Sequence, residues 1–152
     1  MMATNYKESL LKHYADKVTF SEEKAEEFWV EKENFLEIMS YLKRMGMDLL
    51  SDITSVDAKE YFEVVYQLFD HASGEHFTIK VKLDHEKPEI ESLANLWCSA
   101  NWLEREVYDL MGITFLNHPN LERILLWEGF DGYPLRKDFV NDHHNRMGAK
   151  PQ

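Results

Sequence analysis

Two runs of strict alternation constrain the fold most. Phe62, Val64, Tyr66 and Leu68 recur at every second position, and Phe77, Ile79, Val81 and Leu83 repeat the pattern after a gap. Successive side chains on a strand point to opposite faces, so each run sets four large apolar groups on one face. The intervening His71-Ala72-Ser73-Gly74-Glu75 is short and contains glycine. The two runs therefore predict an antiparallel hairpin, with Thr78, Lys80 and Lys82 on its wet side.

The flanking segments supply helices to cover such a sheet. Residues 5–16 read as a short helix with Leu10, Leu11 and Tyr14 on one side. Phe35, Ile38, Met39 and Leu42 stand at i, i+3, i+4 and i+7, which predicts a helix from Lys32 to Met45. Gly46 stops it, because glycine alone enters the left-handed conformation cheaply. Phe28-Trp29-Val30 reads as a short strand, and residues 47–56 as a longer one carrying Leu49, Leu50, Ile53 and Val56. Residues 90–111 read as mostly helical, broken near Ser99–Asn101, with Leu103, Val107, Leu110 and Met111 as the apolar stripe. Ile113-Thr114-Phe115 follows as a brief strand, and the chain is turn-rich from residue 117. The order α–β–α–β–β–β–α–β makes an α+β domain, a mostly antiparallel sheet covered by helices, with an irregular C-terminal extension. One domain is expected over residues 1–139, and residues 140–152 form a short tail.

Charge removes several function classes. The 152 residues carry 17 Lys and Arg against 28 Asp and Glu, a formal charge of −11. A protein that tracks nucleic-acid phosphates needs clustered positive charge, and a polybasic membrane anchor needs the same. Residues 21–37 hold seven glutamates against two lysines, and the expected reading is a solvated acidic face. No uncharged stretch exceeds 12 residues, whereas a membrane-crossing helix needs about 20. Lys7, Glu8, Lys12, Asp16 and Lys17 occupy the region where a secretory signal would need an apolar core. The expectation is an intracellular chain, held at any membrane by a partner.

Most local chemistry can be set aside. Cys98 is the single cysteine, so a disulfide framework or a four-thiolate metal or cluster site within the chain is excluded. It lies among Leu96, Trp97 and Ala100, and a buried, inert thiol is expected. His85-Glu86 starts like a zinc-protease motif, but Pro88 blocks the helix and no histidine stands four residues on. His143-His144 falls in the terminal tail without further ligands. Neither GxGxxG nor GxxxxGK is present.

One region does not read as ordinary core. Asn101-Trp102-Leu103-Glu104-Arg105-Glu106-Val107-Tyr108-Asp109-Leu110-Met111-Gly112 sets four charges among large aromatics, with Glu104/Tyr108 and Arg105/Asp109 as i,i+4 neighbours. A solvated helix face would explain the charges alone. The segments after it, His118-Pro119-Asn120-Leu121-Glu122-Arg123-Ile124-Leu125 and Gly132-Tyr133-Pro134-Leu135-Arg136-Lys137-Asp138-Phe139, are too rich in fixed dihedrals and aromatics for a disordered terminus. They are shaped to lie against something, the domain itself or a partner. Pro134 fixes the backbone near Arg136 and Lys137, and Arg136 is expected to fork onto a carboxylate at that boundary or within the fold.

The run NWLEREVYDLMGITFLNHPNLERIL, followed by GYPLRKDF, resembles the signature region of the C-type peripheral-arm subunit of respiratory complex I, a family shared with membrane-bound hydrogenases. The likeness extends upstream to Leu50–Asp57 and Phe62–Tyr66 and covers about residues 28–139. It implies a two-layer α/β domain with a mixed sheet. It also implies a non-redox structural subunit of the peripheral arm of a proton-translocating NADH:quinone oxidoreductase. Such a subunit docks beside the hydrogenase-like large subunit and the small cluster-bearing subunit, on the cytoplasmic face of the membrane. FMN and iron–sulfur clusters would belong to those partner subunits, with no cofactor, metal or catalytic residue in this chain. The motif residues expected at the interface are Glu104, Arg105, Glu106, Asp109, His118, Pro119, Arg123, Gly132, Tyr133, Pro134, Arg136, Lys137 and Asp138. Thirteen residues follow Phe139, fewer than in many longer members, which leaves the electron donor open. The equivalent subunit of a membrane-bound hydrogenase or of a ferredoxin- or F420-driven relative is the alternative. A free-standing enzyme using Glu104, Glu106 and Asp109 lacks the nucleophile, metal set or cofactor loop that carboxylates need beside them.

Overall fold

The computed structural model describes residues 5–141. The chain opens with α1 (Tyr6–Tyr14), capped by the Asn5 side chain, which accepts from the Glu8 amide at 3.0 Å. Short strands β1 (Val18–Phe20) and β2 (Glu27–Val30) follow, and one tight turn at Lys32–Asn34 leads into α2 (Phe35–Met45). The α2 stripe of Phe35, Ile38, Met39 and Leu42 is wholly buried. Gly46 ends the helix at φ 131°, and its amide returns to the Leu42 and Lys43 carbonyls. A Cβ there would come within 2.7 Å of the Tyr6 hydroxyl, so the stop also lets α1 close on α2.

Three long strands form the body: β3 (Leu49–Asp57), β4 (Tyr61–Phe69) and β5 (His76–Asp84). The hairpin expected from the two alternating runs is β4–β5, in register from Tyr61 opposite Asp84 to Phe69 opposite His76. All eight of its alternating apolar residues are buried. The sheet order is β1-β2-β5-β4-β3; β2 runs parallel to β5 and the other pairs are antiparallel, which gives the mixed sheet. A bulge in β3 between Leu50 and Asp52 turns both Leu50 and Ile53 inward although they are three residues apart. Val56 is consequently exposed.

Two elements depart from expectation. Strand β1, Val18-Thr19-Phe20, is too short to signal a strand by itself, and it is held by pairing with β2. Residues 90–111 are not one broken helix. β6 (Glu89–Glu91) comes first, then turns, and only Ala100–Met111 is helical, as α3. β6 pairs in parallel with β7 (Thr114–Leu116). The spacing of Leu93 and Trp97 mimics a helix because both bury, but tertiary bonds hold the segment open. Trp97 Nε1 donates to the Met47 carbonyl at 3.1 Å and Ser99 Oγ to the Leu50 carbonyl at 2.7 Å. Cys98 is exposed, not buried, because its neighbour Trp97 takes the inward position of the turn. The acidic run is partly paired: Glu27 lies 3.1 Å from Lys80 and Glu37 3.3 Å from Lys17. His143-His144 and residues 142–152 lie outside the described residues.

Candidate functional site

The C-terminal extension lies on its own domain, and α3 is the element that holds it. Asp109 is fully buried on the last turns of α3. Its Oδ2 accepts three successive backbone amides of the extension, Ile124 at 3.1 Å, Leu125 at 2.7 Å and Leu126 at 2.9 Å. Its Oδ1 takes Arg123 Nη1 at 3.2 Å. A buried carboxylate needs this many donors to offset lost hydration. Arg123 also donates through Nη2 to the Gly132 carbonyl at 2.9 Å and lies over the Tyr133 ring, 5.0 Å from its centroid. The extension is thus folded back upon itself around one guanidinium.

A second clamp closes the end of α3. Gly112 ends the helix in the left-handed conformation, φ 71°. Arg136 reaches the freed carbonyls, Nε to Met111 at 2.6 Å and Nη2 to Gly112 at 3.3 Å. Its guanidinium sits between the Phe62 and Tyr133 rings, 5.0 and 4.9 Å from their centroids. Arg136 therefore caps a helix terminus, where the backbone carries partial negative charge, instead of forking onto the expected carboxylate. The adjacent Lys137 amide donates to Asp57 Oδ2 at 2.9 Å. Asp57, at the end of β3, also accepts from the Lys59 amide at 2.8 Å and faces His85 Nε2 at 3.2 Å. Burial pushes the Asp57 carboxyl up, but the Lys137 and Lys59 amides and His85 outweigh it and hold the group below the usual carboxylate range. His85 stacks on Phe62 at 4.4 Å, so one arrangement joins β3, β4 and the extension.

Glu104 sits one to two turns back on α3, also fully buried. Its Oε1 accepts the Leu93 amide and its Oε2 the Ser92 hydroxyl, both at 2.6 Å. Burial raises its carboxyl to about 7 although both of these bonds pull it down. His118 Nε2 lies 3.8 Å from Oε2 with its side chain enclosed. That nitrogen faces the Asn101 carbonyl at 3.0 Å, while Nδ1 accepts the Asn120 amide at 2.9 Å. These partners place the ring proton on Nε2.

Of the residues expected at the site, Asp109, Arg123, Gly132, Tyr133, Arg136 and the Lys137 backbone meet in the double clamp, with Pro134 within it. Glu104 and His118 form the neighbouring buried pair. The i,i+4 pair Arg105–Asp109 does not form, because Arg123 takes the carboxylate; Arg105 instead donates to the Glu122 carbonyl at 3.1 Å and covers Trp102. Glu106, Pro119, Lys137 and Asp138 are exposed. The sequence reading did not place Asp57, His85 or Ser92 at the site: His85 was weighed only as the start of a zinc motif and set aside, and Asp57 was noted only as the end of the Leu50–Asp57 stretch of the family likeness. Among the described residues no three His, Cys, Asp or Glu groups converge as a metal site, and no helix is long and apolar enough to cross a membrane.

The buried groups thus fix the extension, which also holds four large apolar side chains outward among its exposed polar ones. Leu125 is 59% exposed, Trp127 44%, Leu135 60% and Val140 78%, half of the eight large apolar side chains exposed among the described residues. Trp102, under Arg105 on α3, is 62% exposed. The family described as respiratory-chain NADH dehydrogenase, 30 Kd subunit, matches residues 28–145. The chain belongs to this family. From Phe28 in β2 through β7 every element lies within the match, and α1 and β1 precede it. NADH-quinone oxidoreductase subunit 5 of Thermus thermophilus is 42% identical over 120 residues, 71% of this chain and 58% of that protein. This chain therefore spans less than two thirds of that relative. An NADH-quinone oxidoreductase subunit of Rhizobium etli is 41% identical over 133 residues, 81% of this chain and 71% of the relative. Among solved structures, a trypsin-resistant fragment of Nqo5 superposes with a TM-score of 0.64 and 34% identity, covering 76% of this chain and 99% of the fragment. A chain of the membrane-bound sulfane sulfur reductase, an archaeal respiratory membrane complex, gives 0.76 and 26% identity, covering 88% of this chain and 82% of that one.

Proposed function

We propose that this chain is a non-redox structural subunit of the peripheral arm of a proton-translocating NADH:quinone oxidoreductase. It docks beside the hydrogenase-like large subunit and the small cluster-bearing subunit, on the cytoplasmic face of the membrane, and reaches that membrane only through them. FMN and iron–sulfur clusters sit in the partners, and the chain itself holds no cofactor. One observation carries the reading: the double clamp engages Asp109, Arg123 and Arg136 inside the chain and leaves Leu125, Leu135 and Val140 held outward. An apolar set fixed in advance loses little conformational entropy on docking. Buried carboxylates already saturated by backbone amides are poorly placed for acid–base chemistry on a substrate.

The likeness to the sulfane sulfur reductase chain supports a second reading, the equivalent subunit of a hydrogenase-type or ferredoxin-driven complex. Isolation of the affinity-tagged full chain from detergent-solubilised membranes on a native gel separates the two. Co-migration with a flavin- and cluster-containing assembly that reduces quinone with NADH is the expected result. A cluster-bearing assembly without flavin selects the second reading. A chain that migrates alone from intact membranes overturns both.

A further inference from the structure

Trp102 and Arg105 stand about one turn apart on α3 and belong to neither clamp. The Arg105 guanidinium lies over the exposed indole, 5.1 Å from the ring centroid, and its Nε donates to the Glu122 carbonyl at 3.1 Å. Two contacts therefore fix the side chain, one through its flat face and one through a single N–H. Stacking leaves the in-plane N–H groups able to donate. Among the described residues, Nη1 and Nη2 meet no acceptor.

The neighbouring carboxylates of the chain are engaged or turned away. Asp109, at i+4, is taken by Arg123 and three amides of the extension. Glu104 is buried on the Leu93 amide and the Ser92 hydroxyl. Glu106 follows Arg105 directly, and adjacent helix residues do not face each other. Among the described residues no carboxylate pairs with Arg105, although the chain carries a formal charge of −11. Two parallel N–H groups on a held guanidinium match the two oxygens of a carboxylate. A phosphate-rich lipid surface is a poor match, because it demands clustered cations and here the exposed Glu106 and Glu122 flank the one arginine.

The geometry points to Trp102 and Arg105 as a docking hot spot that takes one Asp or Glu carboxylate of a neighbouring subunit. Nη1 and Nη2 fork the carboxylate, and the segment that carries it lies on the open side of Trp102. The spot continues the surface of the extension, since Arg105 holds Glu122 and Asp109, one turn on, holds the amide of the outward Leu125. Tryptophan and arginine dominate such centres, and a fork ordered before docking has little freedom left to lose. This rests on the reading of the chain as a subunit of a larger assembly, and it supplies the chemistry of one contact in it.

Competitive incorporation tests it. The full chain and a variant, carrying different tags, are expressed together, and their ratio is read in the assembly isolated from detergent-solubilised membranes. Arg105→Glu should be depleted at least about thirtyfold against the parent, and Trp102→Ala about tenfold or more. Hydrogen exchange at the amides of Ile124, Leu125 and Leu126 shows whether the extension stays in place in each variant. A second measurement does not depend on that. Arg105→Lys keeps the charge and offers an amine, which a carbodiimide couples directly to a carboxylate in contact with it. In the isolated assembly the expected product joins position 105 to an Asp or Glu of another subunit. Incorporation of Arg105→Glu within about twofold of the parent overturns the inference, as does coupling only within the chain or to a second copy of it. A parent chain that enters no assembly overturns the subunit reading itself, whereas failure of the Arg105 results in an assembling parent removes this contact alone.

Discussion

Replacing Asp109 with alanine removes the acceptor of three consecutive amides, Ile124, Leu125 and Leu126, and the partner of Arg123. Hydrogen bonds to a charged group contribute about 1.5–3 kcal/mol each, so the naive sum is several kcal/mol. The chain need not lose all of it. The extension can lift locally and give its amides to water, so the loss is limited to the free energy that attaches the segment. Arg136 at the end of α3 and the Lys137 amide on Asp57 still hold its far end. The Arg123 pair is discounted because that side chain is 25% exposed. About 3–4 kcal/mol is therefore expected, read as a rise of roughly a hundred- to a thousandfold in hydrogen exchange at those three amides. Amides in β4 and β5 should keep their protection, since neither strand bonds to Asp109. Asp109→Asn keeps one carbonyl oxygen and should show a smaller rise. If the three amides in Asp109→Ala exchange within about threefold of the parent, the carboxylate does not hold the extension and the clamp argument fails.

Gly112→Ala sets a Cβ within 2.6 Å of both Arg136 Nη2 and the Tyr133 ring at φ 71°. The backbone strain and the displaced cap should together lower stability by about 2–4 kcal/mol in denaturant unfolding, and a loss under about 1 kcal/mol would mean that Arg136 yields freely. The depressed Asp57 carboxyl contributes stability that is present above its unfolded value and lost as pH falls through the folded one. Protection of the Lys59 and Lys137 amides should therefore persist above about pH 4 and collapse below it, and Asp57→Asn should abolish that acid dependence. Leu125→Glu and Leu135→Glu alter outward side chains and should change stability by only about 0.5 kcal/mol while sharply reducing assembly on native gels. Normal assembly of both would place the docking surface elsewhere.

The sequence was most legible where one local rule dominates. Period-two alternation at 62–68 and 77–83 and the stripe Phe35, Ile38, Met39, Leu42 become the hairpin β4–β5 and the buried face of α2. Those patterns are set by which face a residue meets, and the apolar residues alone decide that. The long mixed motif at 101–139 identified the family in the same way, as a string that needs no coordinates.

What each charge in that motif does was decided by tertiary structure. Arg105 and Asp109 have the spacing of a helix pair, yet Asp109 binds Arg123 and three amides brought by a chain reversal that no periodicity encodes. Arg136 was expected to meet a carboxylate and instead caps α3, because Gly112 leaves carbonyls there that only a long, forked donor can reach. β6 was hidden at the start of a helix-like run, while its parallel partner β7 was legible as a brief strand; the pairing of residues 89–91 with 114–116 depends on the whole of α3 lying between them. Glu104 reads as a surface residue by type, and its burial follows from the Leu93 amide and Ser92 hydroxyl placed over it by that same pairing. Sequence determines the faces of each element because that information is local; the partner of a buried charge depends on which distant backbone groups the fold leaves unpaired.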